Sequence, residues 1–298
     1  MTEKTLWYTG CSMTQGDEIA DIIQHPDFYK AYIWKDIEKL SNFGTITYEH
    51  EGDWKSPIRK DYRIMWMYER LMTSLPNVLD FPEELDRYLD EKRNLEYENN
   101  WCTRIANKLN LKPIHAAQAA ASAGVMYRHL LADLKNKRDV RIMAWTYPYR
   151  LTFWGSVKYI GYPPGWQPLH AGKATSLSDT KQRHLLFKNV FCQKVNYIDW
   201  VNSIVLSAKL LEKTDCEWFF TFGYKEHLVE AANSGDSRLI KFLEKYEDRI
   251  LTKDLFREQY KLTDHLHPKA MFAGHPRLEA HEMIAEKYIG KIQDGLNR

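Results

Sequence analysis

The sequence predicts an α/β fold, a three-layer α/β/α sandwich built on a mostly parallel sheet. Two observations carry this. Short runs rich in β-branched and aromatic residues, among them TLWYTG at 5–10, DVRIMAWT at 139–146 and CEWFFTFG at 216–223, read as buried strands. Segments with helical spacing lie between them, and strands that alternate with helices predict a parallel sheet covered on both faces. The composition allows such a core, because hydrophobic residues make up 44% of the 298 positions and charged residues 28%.

The first strand ends at Gly10, and Cys11 to Gly16 reads as a polar turn. Residues 17–96 are polar, charged and aromatic, with weak helical patterns such as MWMYERLMTSL and PEELDRYLDEKRN. They read as a helical insertion, since no Gly/Pro/Ser linker sets them apart. One domain over 1–298 is therefore expected, with insertions at about 17–98 and 147–183. From Asn99 the pattern tightens: Trp101, Ile105, Ala106 and Leu109 have helical spacing, KPIHAAQ reads as a strand and VMYRHLLADLKNK as a helix. Residues 147–182 read as a loop rich in Tyr, Trp, Gly and Pro, and 184–212 as a long helix. Two helical segments follow the strand at 216–223, then a histidine-rich stretch, TDHLHPKAMFAGHP. A last amphipathic helix is expected from Pro276, a residue suited to the first helical position.

Lys and Arg total 42 against 40 for Asp and Glu, a net charge of +2, so charge offers no case for nucleic acid or for a membrane surface. Cys11, Cys102, Cys192 and Cys216 form no C-x-x-C pair, which argues against a disulfide framework or zinc ribbon and for a reducing compartment. The N-terminal residues lack a signal-peptide core and no apolar run is long enough for a bilayer, so a cytoplasmic location is expected.

Two places can carry chemistry. Gly10-Cys11-Ser12-Met13-Thr14-Gln15-Gly16 follows the first strand, which puts Ser12 at the sheet's carboxyl edge, where α/β folds collect their sites. The flanking glycines let the backbone turn sharply, and N–H groups in such a turn can hold an oxyanion. A serine there is also an ordinary turn or cap residue. Near the other end, Gly274-His275-Pro276 precedes a helix that carries His281, and a histidine held in such a loop suits a general base.

Together these ends resemble the SGNH (GDSL-like) hydrolase family, in particular its bacterial and phage members that open with G-C-S-[FM]-T-x-G. The resemblance implies a flavodoxin-like fold and makes Ser12 the nucleophile, with Cys11 in place of the usual aspartate. The family's second block, N-x-A-x-x-G, is matched by Ala119 to Gly124 without its asparagine, which makes Gly124 an oxyanion donor beside Ser12. The third block, G-x-N-D, is absent. Ala144-Trp145-Thr146-Tyr147-Pro148-Tyr149-Arg150 stands in its place, with Thr146 or Arg150 as further oxyanion groups. The last block, D-x-x-H-P before a histidine-bearing helix, matches His275, Pro276 and His281, but its aspartate falls at Phe272 or Ala273. A second D-x-x-H-P lies just upstream, so either His275 works with an acid from elsewhere, Asp264 included, or Asp264 and His267 are the working pair.

The implied activity is two-step ester hydrolysis with no cofactor and no metal. Tyr147, Trp154 and Trp166 in the aromatic segment are expected to bind the substrate, an O-acylated sugar or small ester. Two other readings stand beside it. His265, His267, His275 and His281 would serve a metal-dependent hydrolase. A binding protein without turnover, for example in a virion, would account for the missing asparagines and the displaced aspartate.

Overall fold

The computed structural model describes residues 3–16, 19–24, 93–118, 121–148, 150–155, 165–170, 193–233, 237–264, 271–272, 275–276 and 278–298. The central sheet has five strands: β1 (Thr5–Thr9), β2 (Lys112–His115), β3 (Val140–Trp145), β6 (Glu217–Phe222) and β7 (Ile250–Thr252). All pair in parallel, in the spatial order β2-β1-β3-β6-β7. Numbered along the chain within this sheet, that order is 2-1-3-4-5, the flavodoxin-like arrangement of a doubly wound sheet. The expected three-layer sandwich is what forms.

Successive residues of a strand point to opposite faces, so each face has its own core. Trp7, Met143, Trp145, Trp218, Phe220 and Phe222 fill one. It is covered by α4 (Ala123–Asp133), α5 (Gln193–Leu211), α6 (Lys225–Asn233) and α7 (Ser237–Lys245). Leu6, Tyr8, Val140, Ile142, Ala144 and Phe219 fill the other. That face lies under α3 (Trp101–Lys108), α8 (Leu255–Asp264) and α9 (Leu278–Leu296). Both faces of β1, β3 and β6 are dry, which is why these strands read as continuous apolar runs.

The amino edge of the sheet is closed by charge. Asp133, the last residue of α4, takes Arg138 Nη2 at 2.6 Å and Arg141 Nη2 at 3.2 Å. Arg141, buried in β3, also donates to the Asn136 carbonyl at 2.8 Å. A buried guanidinium persists only when paired and hydrogen-bonded, and Arg141 is both.

The structure departs from the sequence reading at several points. Cys11–Gly16 is not a plain turn: Ser12–Gln15 forms a single helical turn, α1, followed by α2 (Ile19–Gln24). Most of the expected insertion, 25–92, lies outside the described residues. The expected loop at 147–182 contains an antiparallel ribbon, β4 (Arg150–Gly155) with β5 (Gly165–His170). Beyond β6 there are three helices instead of two, α6, α7 and α8, and the strand β7 between them is an edge strand too short to show a period. Pro276 does not open the last helix. It pairs in a two-residue ribbon of β8 (Met271–Phe272) with β9 (His275–Pro276), and α9 begins at Leu278.

Candidate active site

The carboxyl ends of β1, β2 and β3 bring the first group of residues together. β1 runs out through Gly10 and the buried Cys11, whose carbonyl accepts the N–H groups of Thr14 and Gln15, each at 2.9 Å. These bonds fold α1 directly onto the strand end. Gly16 stops it with φ of +89°, a conformation that suits glycine. Gly10 is tied sideways to the segment that leaves β2, since its carbonyl accepts Gln118 N–H at 3.0 Å. That segment leads to Ser122, which caps α4 by accepting Val125 N–H. Gly124 is the second residue of α4, a position whose N–H has no acceptor within the helix. Among the described residues, a side chain added at Gly124 would meet only Ser122 Oγ, at 3.8 Å.

Thr146 follows β3 directly and is buried. Its carbonyl accepts Trp200 Nε1 at 2.9 Å, whereas its hydroxyl has no hydrogen-bond partner among the described residues. Tyr147, half-buried, packs among Tyr224, His227 and Phe256, with ring centroids 5.8, 5.7 and 5.4 Å away. The ribbon β4–β5 then leaves this edge and lies against α4. Arg150 opens it, and Trp154 and Trp166 are register partners across it.

The C-terminal group approaches from the other side. The backbone of β9 lies beside α1 and beside α9, so the segment that opens with Ser12 neighbours the one that opens with His275. Phe272, one of the two positions where the resemblance would put an aspartate, is the register partner of His275. Asp264 ends α8, and His265 and His267 lie outside the described residues. His281 is buried in α9, where its Nδ1 accepts Trp101 N–H at 3.2 Å. It caps α3, a structural task.

A buried polar network underlies α1, and nothing in the spacing of the sequence pointed to it. Gln15 Nε2 donates to Glu96 Oε2 at 3.0 Å. Asn100 caps α3 through Thr103 N–H and donates to the Tyr8 hydroxyl at 2.8 Å, which in turn meets Thr103 Oγ1 at 2.8 Å. Burial holds the Tyr8 phenol well above its ordinary range, so it stays neutral. Two histidines lie near the end of β1, His115 on the face of Tyr8 and His129 beside Thr9. Thr9 Oγ1 donates to the Ala116 carbonyl and lies 3.1 Å from His129 Nδ1. His115 stacks on Tyr8, and its Nδ1 accepts Ala117 N–H at 3.0 Å, which leaves its proton on Nε2. Burial, then the neighbouring His129 and Arg93, push the His115 imidazole down to about 3. Burial lowers His129 as well.

The fold defines the class: a doubly wound α/β/α sandwich, with a group of polar residues at the carboxyl ends of β1, β2 and β3. No protein-family model and no curated protein matches the chain. Among solved structures it is similar to a carbohydrate esterase family 2 enzyme with a carbohydrate-binding domain from Corynascus thermopiles (Myceliophthora fergusii). The identity is 8% and the TM-score 0.38, over 70% of this chain and 59% of that one. The chain thus spans less than two thirds of that structure's length.

Among the described residues no helix is long and apolar enough to cross a membrane.

Proposed function

We propose that the chain is a serine-dependent ester hydrolase, with Ser12 as nucleophile and His275 as general base. One observation carries the reading: the backbone of α1, which Ser12 opens, neighbours that of β9, which His275 opens, at the carboxyl edge of a doubly wound sheet. Residues from opposite ends of the chain meet where such folds place their chemistry.

In the reaction, His275 takes the hydroxyl proton of Ser12 as its oxygen adds to the ester carbonyl. The tetrahedral oxyanion is held by the N–H groups of Ser12 and Gly124, with Thr146 and Arg150 as further donors. Loss of one such donor typically costs about 3 kcal/mol of transition-state stabilisation. Collapse expels the alcohol, which receives the proton from His275. Water, deprotonated by the same histidine, then releases the acid and restores Ser12. Asp264, at the end of α8, is the carboxylate we assign to orient the base, with Asp264 and His267 as the alternative pair.

The substrate class follows from the ribbon. Trp154 and Trp166 occupy opposed positions of β4–β5, and such positions share a face. Two tryptophan positions opposed across the ribbon, with Tyr147 close to the strand end, suit a sugar carrying a small acyl group better than a long acyl chain.

A second reading keeps the binding surface without turnover. Phe272 stands opposite His275, and neither it nor Ala273 supplies the acid the resemblance would place there, which favours a binding protein of the same fold.

Labelling with a fluorophosphonate separates the two. The enzyme reading expects one adduct, at Ser12, and loss of both adduct and ester turnover in Ser12→Ala with an unchanged unfolding temperature. Turnover that survives in Ser12→Ala refutes the nucleophile, and a wild-type protein that neither labels nor turns over esters leaves the binding reading.

A further inference from the structure

We propose that Glu96 and His281 are positioning residues that fix the Ser12 turn and the His275 segment to one anchor, the amino end of α3. The inference rests on the serine reading above.

Gln15 is the last residue of α1, and its bond to Glu96 joins two buried side chains. The Glu96 carbonyl accepts Asn100 N–H at 3.1 Å and Asn100 Nδ2 at 3.3 Å, so Glu96 is coupled to the cap of α3. The next residue, Trp101, offers one of the N–H groups that a helix leaves without an internal acceptor. His281 takes it, and His281 belongs to the helix that β9 feeds. Residues 96–101 therefore hold α1 on one side and α9 on the other.

Neither bond reaches a reacting atom, yet both set the distance between α1 and β9. A serine and its base must sit within hydrogen-bond reach, and a misplacement of about 1 Å can cost roughly 100-fold in rate. The bond between Gln15 and Glu96 joins two buried side chains, and a hydrogen bond away from water holds geometry more tightly than one at the surface. Loss of the anchor is thus expected to lower kcat and leave KM in place.

The test is a reciprocal exchange. Gln15→Glu sets two carboxylates face to face, and is expected to slow Ser12 labelling and kcat by about tenfold or more, with KM within about twofold. Adding Glu96→Gln restores an amide and a carboxylate with their places exchanged, and is expected to recover the rate to within about threefold. A double variant as slow as Gln15→Glu alone overturns the proposal. Should Gln15→Glu not fold, Gln15→Met with Glu96→Met removes the bond and puts two apolar side chains of similar size in its place. That variant is expected to melt near the wild type and still turn over about tenfold more slowly. Wild-type rates there also overturn the proposal. For the other arm, His281→Asn keeps an acceptor for Trp101 N–H and is expected to retain kcat within about threefold, whereas His281→Leu is expected to lose about tenfold. Equal rates in these two variants remove His281 from the proposal. If the wild type labels at Ser12 while Gln15→Glu labels equally fast, the anchor alone fails. If the wild type does not label at Ser12, the serine reading fails and the anchor with it.

Discussion

Thr14 Cβ lies 2.6 Å from the point where a side chain on Gly10 would begin. Real Cβ atoms do not approach so closely, so the glycine is what lets α1 fold back onto the end of β1. Gly10→Ala is therefore expected to destabilise the protein by about 1–3 kcal/mol, the usual cost of overpacking. It should also slow Ser12 labelling, because the turn itself must shift. Urea denaturation measures the first effect, and adding Thr14→Gly should recover most of it.

At the opposite edge of the sheet the balance is one of stability alone. Asp133→Ala leaves Arg138 without its partner and Arg141 buried and uncompensated. A loss of about 3–5 kcal/mol is expected, as for other broken buried pairs. The fraction that remains folded should keep its kcat, since this cluster is a full strand length from α1. Denaturant midpoints together with active-site titration check both halves of the statement.

The low basicity of His115 makes stability depend on pH. The folded ring titrates at about 3, whereas an unfolded histidine does so near 6.5. Between these values the unfolded chain binds a proton that the folded state refuses. The contribution is therefore complete above about pH 6.5 and is lost as pH falls toward 3, at up to about 1.4 kcal/mol per pH unit. His115→Gln, which keeps an acceptor for Ala117 N–H, should flatten the acid limb of a stability–pH profile. An unchanged slope in that variant would place the sensitivity elsewhere.

The choice of base is settled by ranking three variants. His275→Ala is expected to lower kcat by several orders of magnitude, as loss of a triad histidine does. His267→Ala should do far less. Asp264→Asn should fall between them if its carboxylate orients His275. Steady-state kinetics on a small activated ester give the order, and a deeper loss in His267→Ala moves the assignment to the upstream pair.

For the substrate, Trp154→Ala and Trp166→Ala are expected to raise KM for an acetylated oligosaccharide by similar factors, because the two are register partners. Their kcat on a short activated ester should hold. Faster hydrolysis of long-chain esters than of the sugar ester would point instead to a lipid substrate.

Some of this was legible in the sequence. TLWYT, VRIMAW and EWFFTF announce themselves because strands covered on both faces carry no polar alternation. The serine motif and the histidine near the C-terminus were likewise visible, each as a local string beside an element boundary. Ile250–Thr252 escaped because three residues at a sheet edge carry no period, and the β4–β5 ribbon because its aromatic and glycine-rich composition reads as loop.

By itself the sequence determined the layers, since alternating apolar runs of two periods leave little choice but helices packed on a parallel sheet. It also determined that Ser12 follows a strand. The strand order, which sets β1 between β2 and β3, came only with the tertiary structure. So did the approach of β9 to α1 and the bonds from Gln15 to Glu96 and from Trp101 to His281. These partners are remote in sequence, and none of them stands out alone. What selects them is burial: once packing removes water, a donor left without an acceptor is costly, and only the folded geometry says which acceptor is within reach.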